Sequence, residues 1–93
     1  MKKKKEDRFS RLLEIPKEIS SNMPRITIVG FEEMIIENYK GILEYEEFYI
    51  RINTYIGIVN INGFKLQLNQ LTDEAVSVTG KIESIDLETN TEE

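Results

Sequence analysis

From Arg25 onward the apolar residues alternate with polar ones at a period of two, among side chains rich in Ile, Val, Tyr, Phe and Thr. Successive side chains of a strand point to opposite faces, so this period demands a sheet with one apolar face and leaves little room for helix. β-branched and aromatic residues fit the same surface. The stretch "GIVNINGFKLQLN", residues 57–69, states the pattern most fully. Asn62-Gly63 is the favoured pair for a two-residue type I′ turn, and a turn there sets Ile61 opposite Phe64 and Val59 opposite Leu66 on one face. Asn60, Asn62, Lys65, Gln67 and Asn69 then fall on the other.

The segment "NYKGILEYEEFYIRIN" (38–53) aligns without a gap on "TYIGIVNINGFKLQLN" (54–69), so that Tyr39, Gly41, Ile42, Phe48 and Asn53 recur as Tyr55, Gly57, Ile58, Phe64 and Asn69. In the first copy Glu46-Glu47 occupies the turn, pairing Tyr45 with Phe48 and Leu43 with Ile50. Weaker copies, "ITIVGF" and "VSVTGK", give starts at Ile26, Leu43, Val59 and Val76, at intervals of 17, 16 and 17 residues. Regular intervals arise from stacked supersecondary units with atypical end copies; hairpins of similar size converge on the same pattern. Either way the chain is mainly β. The expected form is an antiparallel hairpin meander of about eight short strands, curled into a sandwich or roll, with solenoid-like repeats as the alternative.

Ahead of the strands the period is different. Phe9, Leu12 and Leu13 fall at i, i+3 and i+4, and Ile19 and Met23 keep helical spacing between Pro16 and Pro24, which predicts a short helical segment over 9–24. The domain organisation is a basic tail (1–8) followed by a single β-rich domain (9–93), with strands over 25–87 and an acidic tail over 88–93.

Among the 93 residues there is no cysteine and no histidine, which removes thiolate chemistry, the commonest zinc ligands and the usual general base at neutral pH. No cofactor is implied, and the chain is expected not to be an enzyme. Residues 1–25 carry eight Lys/Arg against four Asp/Glu, whereas residues 26–93 carry four against thirteen. An acidic body repels phosphates, which argues against a nucleic-acid partner. The carboxylate clusters Glu32/Glu33, Glu44/Glu46/Glu47 and Asp73/Glu74 read as solvated turns and edges, since neighbours on a strand point apart instead of converging on a cleft or an ion.

Two groups of residues are candidates for contact with other molecules. Ile42 and Ile58 occupy equivalent positions on the supposedly outward face, with Ile35 and Tyr49 nearby; either this face is covered, for instance by the N-terminal helix, or the stripe docks a partner or a second copy of the chain. Lys2, Lys3, Lys4 and Lys5 with Phe9, Leu12 and Leu13 could meet an anionic membrane surface; the plainer reading is a solvated tail, with the apolar three packed on the sheet.

Leu13 to Pro16, Met23-Pro24-Arg25-Ile26-Thr27, Gly30, Ile36-Glu37-Asn38, Lys40-Gly41-Ile42 and the closing "GKIESIDL" (80–87) form one combined pattern, with Met23 where leucine is expected. On these residues nearly the whole chain resembles the YabP/YqfC family of sporulation proteins, closest to its YqfC branch. The resemblance implies a non-enzymatic protein of the mother-cell cytoplasm, at the outer forespore membrane. Its expected role is in spore envelope assembly, cortex or coat, by binding a membrane-protein partner of the YqfD type. The alternatives are a self-assembling structural β-repeat protein of that envelope, and a cortex carbohydrate binder or hydrolase.

Overall fold

Asn62 and Gly63 do not turn the chain. The computed structural model describes residues 23–89, and among these the dipeptide lies inside a single strand of fifteen residues. Six strands are described: β1 (Arg25–Val29), β2 (Glu33–Glu37), β3 (Tyr39–Glu46), β4 (Tyr49–Thr54), β5 (Gly57–Leu71) and β6 (Ala75–Thr89). They form one open antiparallel sheet in the order β1-β2-β6-β5-β4-β3. The expected eight strands become six because β5 and β6 each run through a point where a hairpin turn was expected. The solenoid alternative falls with them, since strands beginning 16 or 17 residues apart occupy unlike places in one sheet. The basic tail and almost all of the expected helical segment, residues 1–22, lie outside the described residues, as do the last four residues of the acidic tail.

The reason for the missing turn is visible at Gly63. It pairs with Ile82, and an added Cβ would fall on the carbonyl of Lys81, so the glycine serves a close approach of two strands. The ladder slips between Asn62 and Gly63 and again between Phe64 and Gln67, which makes this a bulged bend and not a reversal. Positive φ appears two residues later, at Lys65 (φ 52°). Phe64 is thereby paired with Lys81 and is 55% exposed, while Ile61 faces Ile50 and Ile85 and is fully buried. The first hairpin also differs from expectation by one residue. Its turn is Glu47-Phe48, so that Tyr45 faces Ile50 and Ile42 faces Ile52.

The sheet doubles over on itself. Glu37 is paired with Ala75 and Tyr39 with Thr54, leaving Asn38 alone to connect β2 to β3, which are separated in the sheet by β6, β5 and β4. Across a flat sheet that gap is about 19 Å, at roughly 4.8 Å per strand, whereas Cα atoms two residues apart reach at most about 7 Å. The Tyr39 hydroxyl also donates to the Thr72 carbonyl at 2.7 Å, although Tyr39 sits beside the start of β5 and Thr72 follows its end. A straight strand of that length would hold these points about 50 Å apart.

Between the two halves lies the core: Met34 and Ile36 of β2, Val76 and Val78 of β6, Ile50 and Ile52 of β4, and Val59, Ile61 and Leu66 of β5, none more than 3% exposed. Ile26, Tyr39, Ile42, Leu68, Ile82 and Ile85 pack around it. Two threonines close the turns that let β4, β5 and β6 follow one another. The Thr54 Oγ1 accepts from the N–H groups of Ile56 (3.2 Å) and Gly57 (3.1 Å) and donates to the Gly57 carbonyl (2.7 Å). Thr72 repeats the device with Glu74 and Ala75, so each hydroxyl accepts two bonds and donates one, its full capacity.

Asn38 carries the connection in the left-handed region (φ 66°), its N–H donating to the Glu74 carbonyl at 2.6 Å and its Nδ2 to the Met23 carbonyl at 3.1 Å. Asparagine tolerates this conformation and a β-branched residue does not. Asn38→Val is expected to lose about 2–3 kcal/mol in urea titrations, from backbone strain of roughly 1–2 kcal/mol and a lost side-chain bond of about 1 kcal/mol. Asn38→Gly, which keeps the conformation, should lose only about half of that.

Tyr39, which seals the fold against Thr72, has its phenol held above the ordinary value of 10.0, first by burial and second by the negative charge of Asp73. Both causes favour the neutral ring in the folded chain. Its contribution to stability is therefore complete below pH 10 and is lost as the pH climbs through the raised folded value. Melting temperatures of wild type and Tyr39→Phe are expected to converge between neutral pH and pH 11; a constant difference would contradict the assignment.

Candidate docking surface

The bend in β5 and β6 is also where the two hairpin tips land. The Gly80 N–H donates to the Glu32 carbonyl (3.2 Å) and that of Ile82 to the Phe31 carbonyl (2.9 Å), laying the β1–β2 turn along β6. On the other side the Gly63 N–H donates to the Phe48 carbonyl (3.2 Å) and that of Leu66 to the Glu47 carbonyl (2.7 Å), laying the β3–β4 turn along β5. The order across the bend is thus Phe31, β6, β5, Phe48. With the turn backbones committed inward to these bonds, the aromatic side chains stand outward: Phe31 is 79% exposed, Phe48 60% and Phe64 55%.

A broad depression of about 1200 Å³ opens beside Phe31 and Phe64, lined also by Val29, Glu33, Lys65 and Lys81 among others. Lys65 and Lys81 have no ion pair among the described residues. Two other cations of the strand region are engaged elsewhere. Arg51 spans the outer face of β3 to β6, with Nε on Asn60 Oδ1 (3.0 Å), Nη1 by Glu44 (3.9 Å) and Nη2 by Glu88 (3.5 Å), and Lys40 lies over the Tyr55 ring at 5.4 Å. Exposed aromatic rings beside lysines that have no ion pair among the described residues make a surface suited to docking.

The four residues expected on one outward stripe are dispersed. Ile58 and Tyr49 do share the outer face of β5 and β4, both half-buried, and Tyr49 adjoins the Phe48 turn. Ile42 faces Ile52 and packs against the core. Ile35 is fully buried on the outer face of the other half of the sheet. Lys2, Lys3, Lys4, Lys5, Phe9, Leu12 and Leu13 lie outside the described residues. The three phenylalanines were not singled out by sequence: Phe48 and Phe64 were placed inside hairpins, and the only signal at Phe31 and Phe48 was an aromatic residue next to turn residues. Among the described residues no three Asp, Glu, His or Cys side chains gather as a metal site would need, and no helix is long and apolar enough to cross a membrane.

A family model described as the YabP family matches residues 21–93 of this chain. The chain is also similar to the "Uncharacterized protein YqfC" of Bacillus subtilis (strain 168), 31% identical over 77 residues that span 83% of each chain. No solved structure matches it.

Proposed function

The chain belongs to the YabP family, and from that premise we propose that it is a non-enzymatic protein of sporulation, acting in spore envelope assembly by docking onto a membrane-protein partner of the YqfD type. In this reading it works in the mother-cell cytoplasm at the outer forespore membrane. The observation that carries the docking role is the pair Phe31 and Phe64, exposed on one depression with Lys65 and Lys81, with Phe48 exposed on the neighbouring turn. A few exposed aromatic anchors ringed by polar residues are what a partner-binding patch needs. The absence of cysteine and histidine removes a thiolate nucleophile and an imidazole base, which favours an assembly role over hydrolysis of cortex.

Co-expression with the membrane protein and affinity capture tests this. Wild type is expected to retain the partner through detergent extraction, and Phe31→Asp/Phe64→Asp to lose at least nine-tenths of the capture while melting as wild type does. Capture unchanged by those substitutions would refute the patch; no capture by wild type would refute the partner. A second reading, self-assembly of copies into an envelope layer, is favoured by one feature. Beyond Ile82 the side of β6 turned toward β2 has no backbone partner among the described residues, leaving an open edge of the kind that pairs between chains. Only monomer in concentrated sizing runs would dispose of it.

A further inference from the structure

Two open edges of the sheet are complementary to each other. β1 pairs only with β2 among the described strands, so its other side is free along Arg25–Val29. β6 pairs with β2 as far as Thr79, and the β1–β2 turn takes up Gly80 and Ile82; past that point β6 has β5 on one side and no backbone partner among the described residues on the other. Backbone groups of successive strand residues point to alternate sides, so the bonds at the strand ends fix which residues are left bonding outward. The Asn38 N–H donates to the Glu74 carbonyl and that of Gly80 to Glu32, which places Met34 and Ile36 in bonding pairs with β6 and turns Glu33, Ile35 and Glu37 toward β1. Those three occupy Val29, Thr27 and Arg25, and Ile26 and Ile28 are left pointing N–H and C=O outward. In the same way the Gly63 N–H donates to Phe48, so Asn62, Asn60 and Ile58 turn toward β6 and occupy Ser84, Asp86 and Glu88. Ile85 and Leu87 are left bonding outward.

On both edges these outward-bonding residues carry their side chains on the core side: Ile26 and Ile85 pack around the core, Ile28 lies opposite Met34 and Leu87 opposite Val59. Two of them remain in water, Ile28 at 49% exposed and Leu87 at 66%. The outer face is unfinished as well. Glu44, Arg51, Asn60 and Asp86 follow one another across it, strand by strand, and the row stops at an aspartate with no ion pair among the described residues. Arg25, at the other edge, has none either.

We propose that β1 of a second copy of this chain adds to the open side of β6, antiparallel, with Ile26 opposite Leu87 and Ile28 opposite Ile85. In this register the outward N–H and C=O groups of both pairs meet, and the two exposed apolar side chains cover each other on the core side. On the outer face Arg25 comes opposite Glu88 and Thr27 opposite Asp86, which brings a cation and a hydroxyl donor to two carboxylates. Other edges fit less well. Two copies of β6 joined about a two-fold axis in the same bonding phase set Asp86 against Asp86 or against Glu88, like charges directly opposite. β3 is interrupted by two register shifts, and on the open side of β5 the Leu68 N–H is already bound to the Tyr45 hydroxyl. The β1–β6 join is heterologous, each copy giving one edge and receiving on the other, so it propagates and does not close as a dimer. It rests on the self-assembly reading above and names the two edges through which that assembly runs. Five residues a side is far below the roughly 20–30 of a stable interface, so the join is weak between two copies and has to be trapped to be seen.

Because the chain has no cysteine, a pair of introduced thiols traps it. Thr27 and Asp86 face each other as a non-hydrogen-bonded pair, with Cα atoms about 4.5 Å apart, within the reach of a disulfide. Full-length Thr27→Cys mixed with full-length Asp86→Cys under mild oxidation is expected to give linked dimers at least about tenfold faster than either variant alone, because the join holds the two thiols in place. Chains carrying both substitutions should give a ladder of linked multimers. Adding Leu87→Asp to the Asp86→Cys chain, at a position the fold leaves exposed, should slow linking about tenfold, since the join would bury an unpaired carboxylate. Linking in the mixture no faster than in the separate variants overturns the proposal, as does linking that Leu87→Asp leaves unchanged. Rapid linking of Thr27→Cys with itself would assign the join to two β1 strands, and of Asp86→Cys with itself to two β6 strands; either result overturns it equally. Wild type separates failure of this join from failure of self-assembly. Association in concentrated sizing runs without linking in the mixture removes the β1–β6 contact alone, whereas monomer throughout removes both.

Discussion

Gly80→Val is expected to lower the melting temperature by about 10–45 °C. Gly80 has φ 131°, a region that side-chain-bearing residues rarely adopt, and its missing Cβ would stand 2.5 Å from the Lys65 carbonyl oxygen and 2.8 Å from the Leu66 Cα. Both obstacles are backbone, on the strand that β6 crosses at the bend, so neither can swing aside. Strain of the dihedral costs roughly 1–3 kcal/mol and forcing the strands apart about 1–3 kcal/mol more, a combined loss of about 2–6 kcal/mol. For a domain of this size each kcal/mol moves the midpoint by about 4–8 °C. The bend is what allows β5 and β6 to serve both halves of the sheet, so the loss should be global and appear as one cooperative transition. Gly41→Ala is the internal control: nothing lies within 4 Å of its Cβ position and its φ is not positive, so it should change stability by less than about 1 kcal/mol, in the favourable direction. Equal effects at the two glycines would show that the bend is not what fixes the fold.

The period of two from Arg25 onward carried real information about faces and much less about where the chain reverses. Val59, Ile61 and Leu66 were placed on one apolar face by alternation, and all three are in the core. The reversal at Asn62-Gly63 was not there, because a dipeptide that suits a type I′ turn also suits a bulge at which two strands come close, and no local rule separates the two. What separates them is β6, whose fifteen residues offer β5 a ladder along most of its length. The near-repeat over 38–53 and 54–69 misled for the same reason: one copy is a hairpin of two strands and the other a single bent strand. Ile42 and Ile58, equivalent in that alignment, consequently face opposite sides. The turns closed by Thr54 and Thr72 carry a recognisable hydroxyl-to-backbone pattern, but threonine is so common in strands that its capping role shows only once the turn is located. The docking surface was illegible for a different reason. Phe31 and Phe48 project because their turns lie against β6 and β5, a pairing between segments distant in sequence that alternation does not encode.

Ile61 and Phe64 separate the two descriptions of this segment by experiment. In a hairpin turning at Asn62-Gly63 they would face each other across one apolar face, and truncating either would cost about the same. In the bent strand Ile61 is 0% exposed between Ile50 and Ile85, whereas Phe64 is 55% exposed beside Lys81. Ile61→Ala is therefore expected to cost about 3–4 kcal/mol, since removal of a buried isoleucine leaves a cavity lined by side chains that cannot collapse into it. Phe64→Ala should cost less than about 1 kcal/mol, because most of its ring is already in water and only partial burial is lost. Thermal and urea unfolding of the two variants would show midpoints far apart, with Phe64→Ala near wild type. Removing Phe64 should instead weaken capture of the docking partner, so one residue trades stability for binding and the other does the reverse. Comparable destabilisation at both positions would restore the hairpin and put Phe64 back in the core, taking the exposed aromatic trio with it.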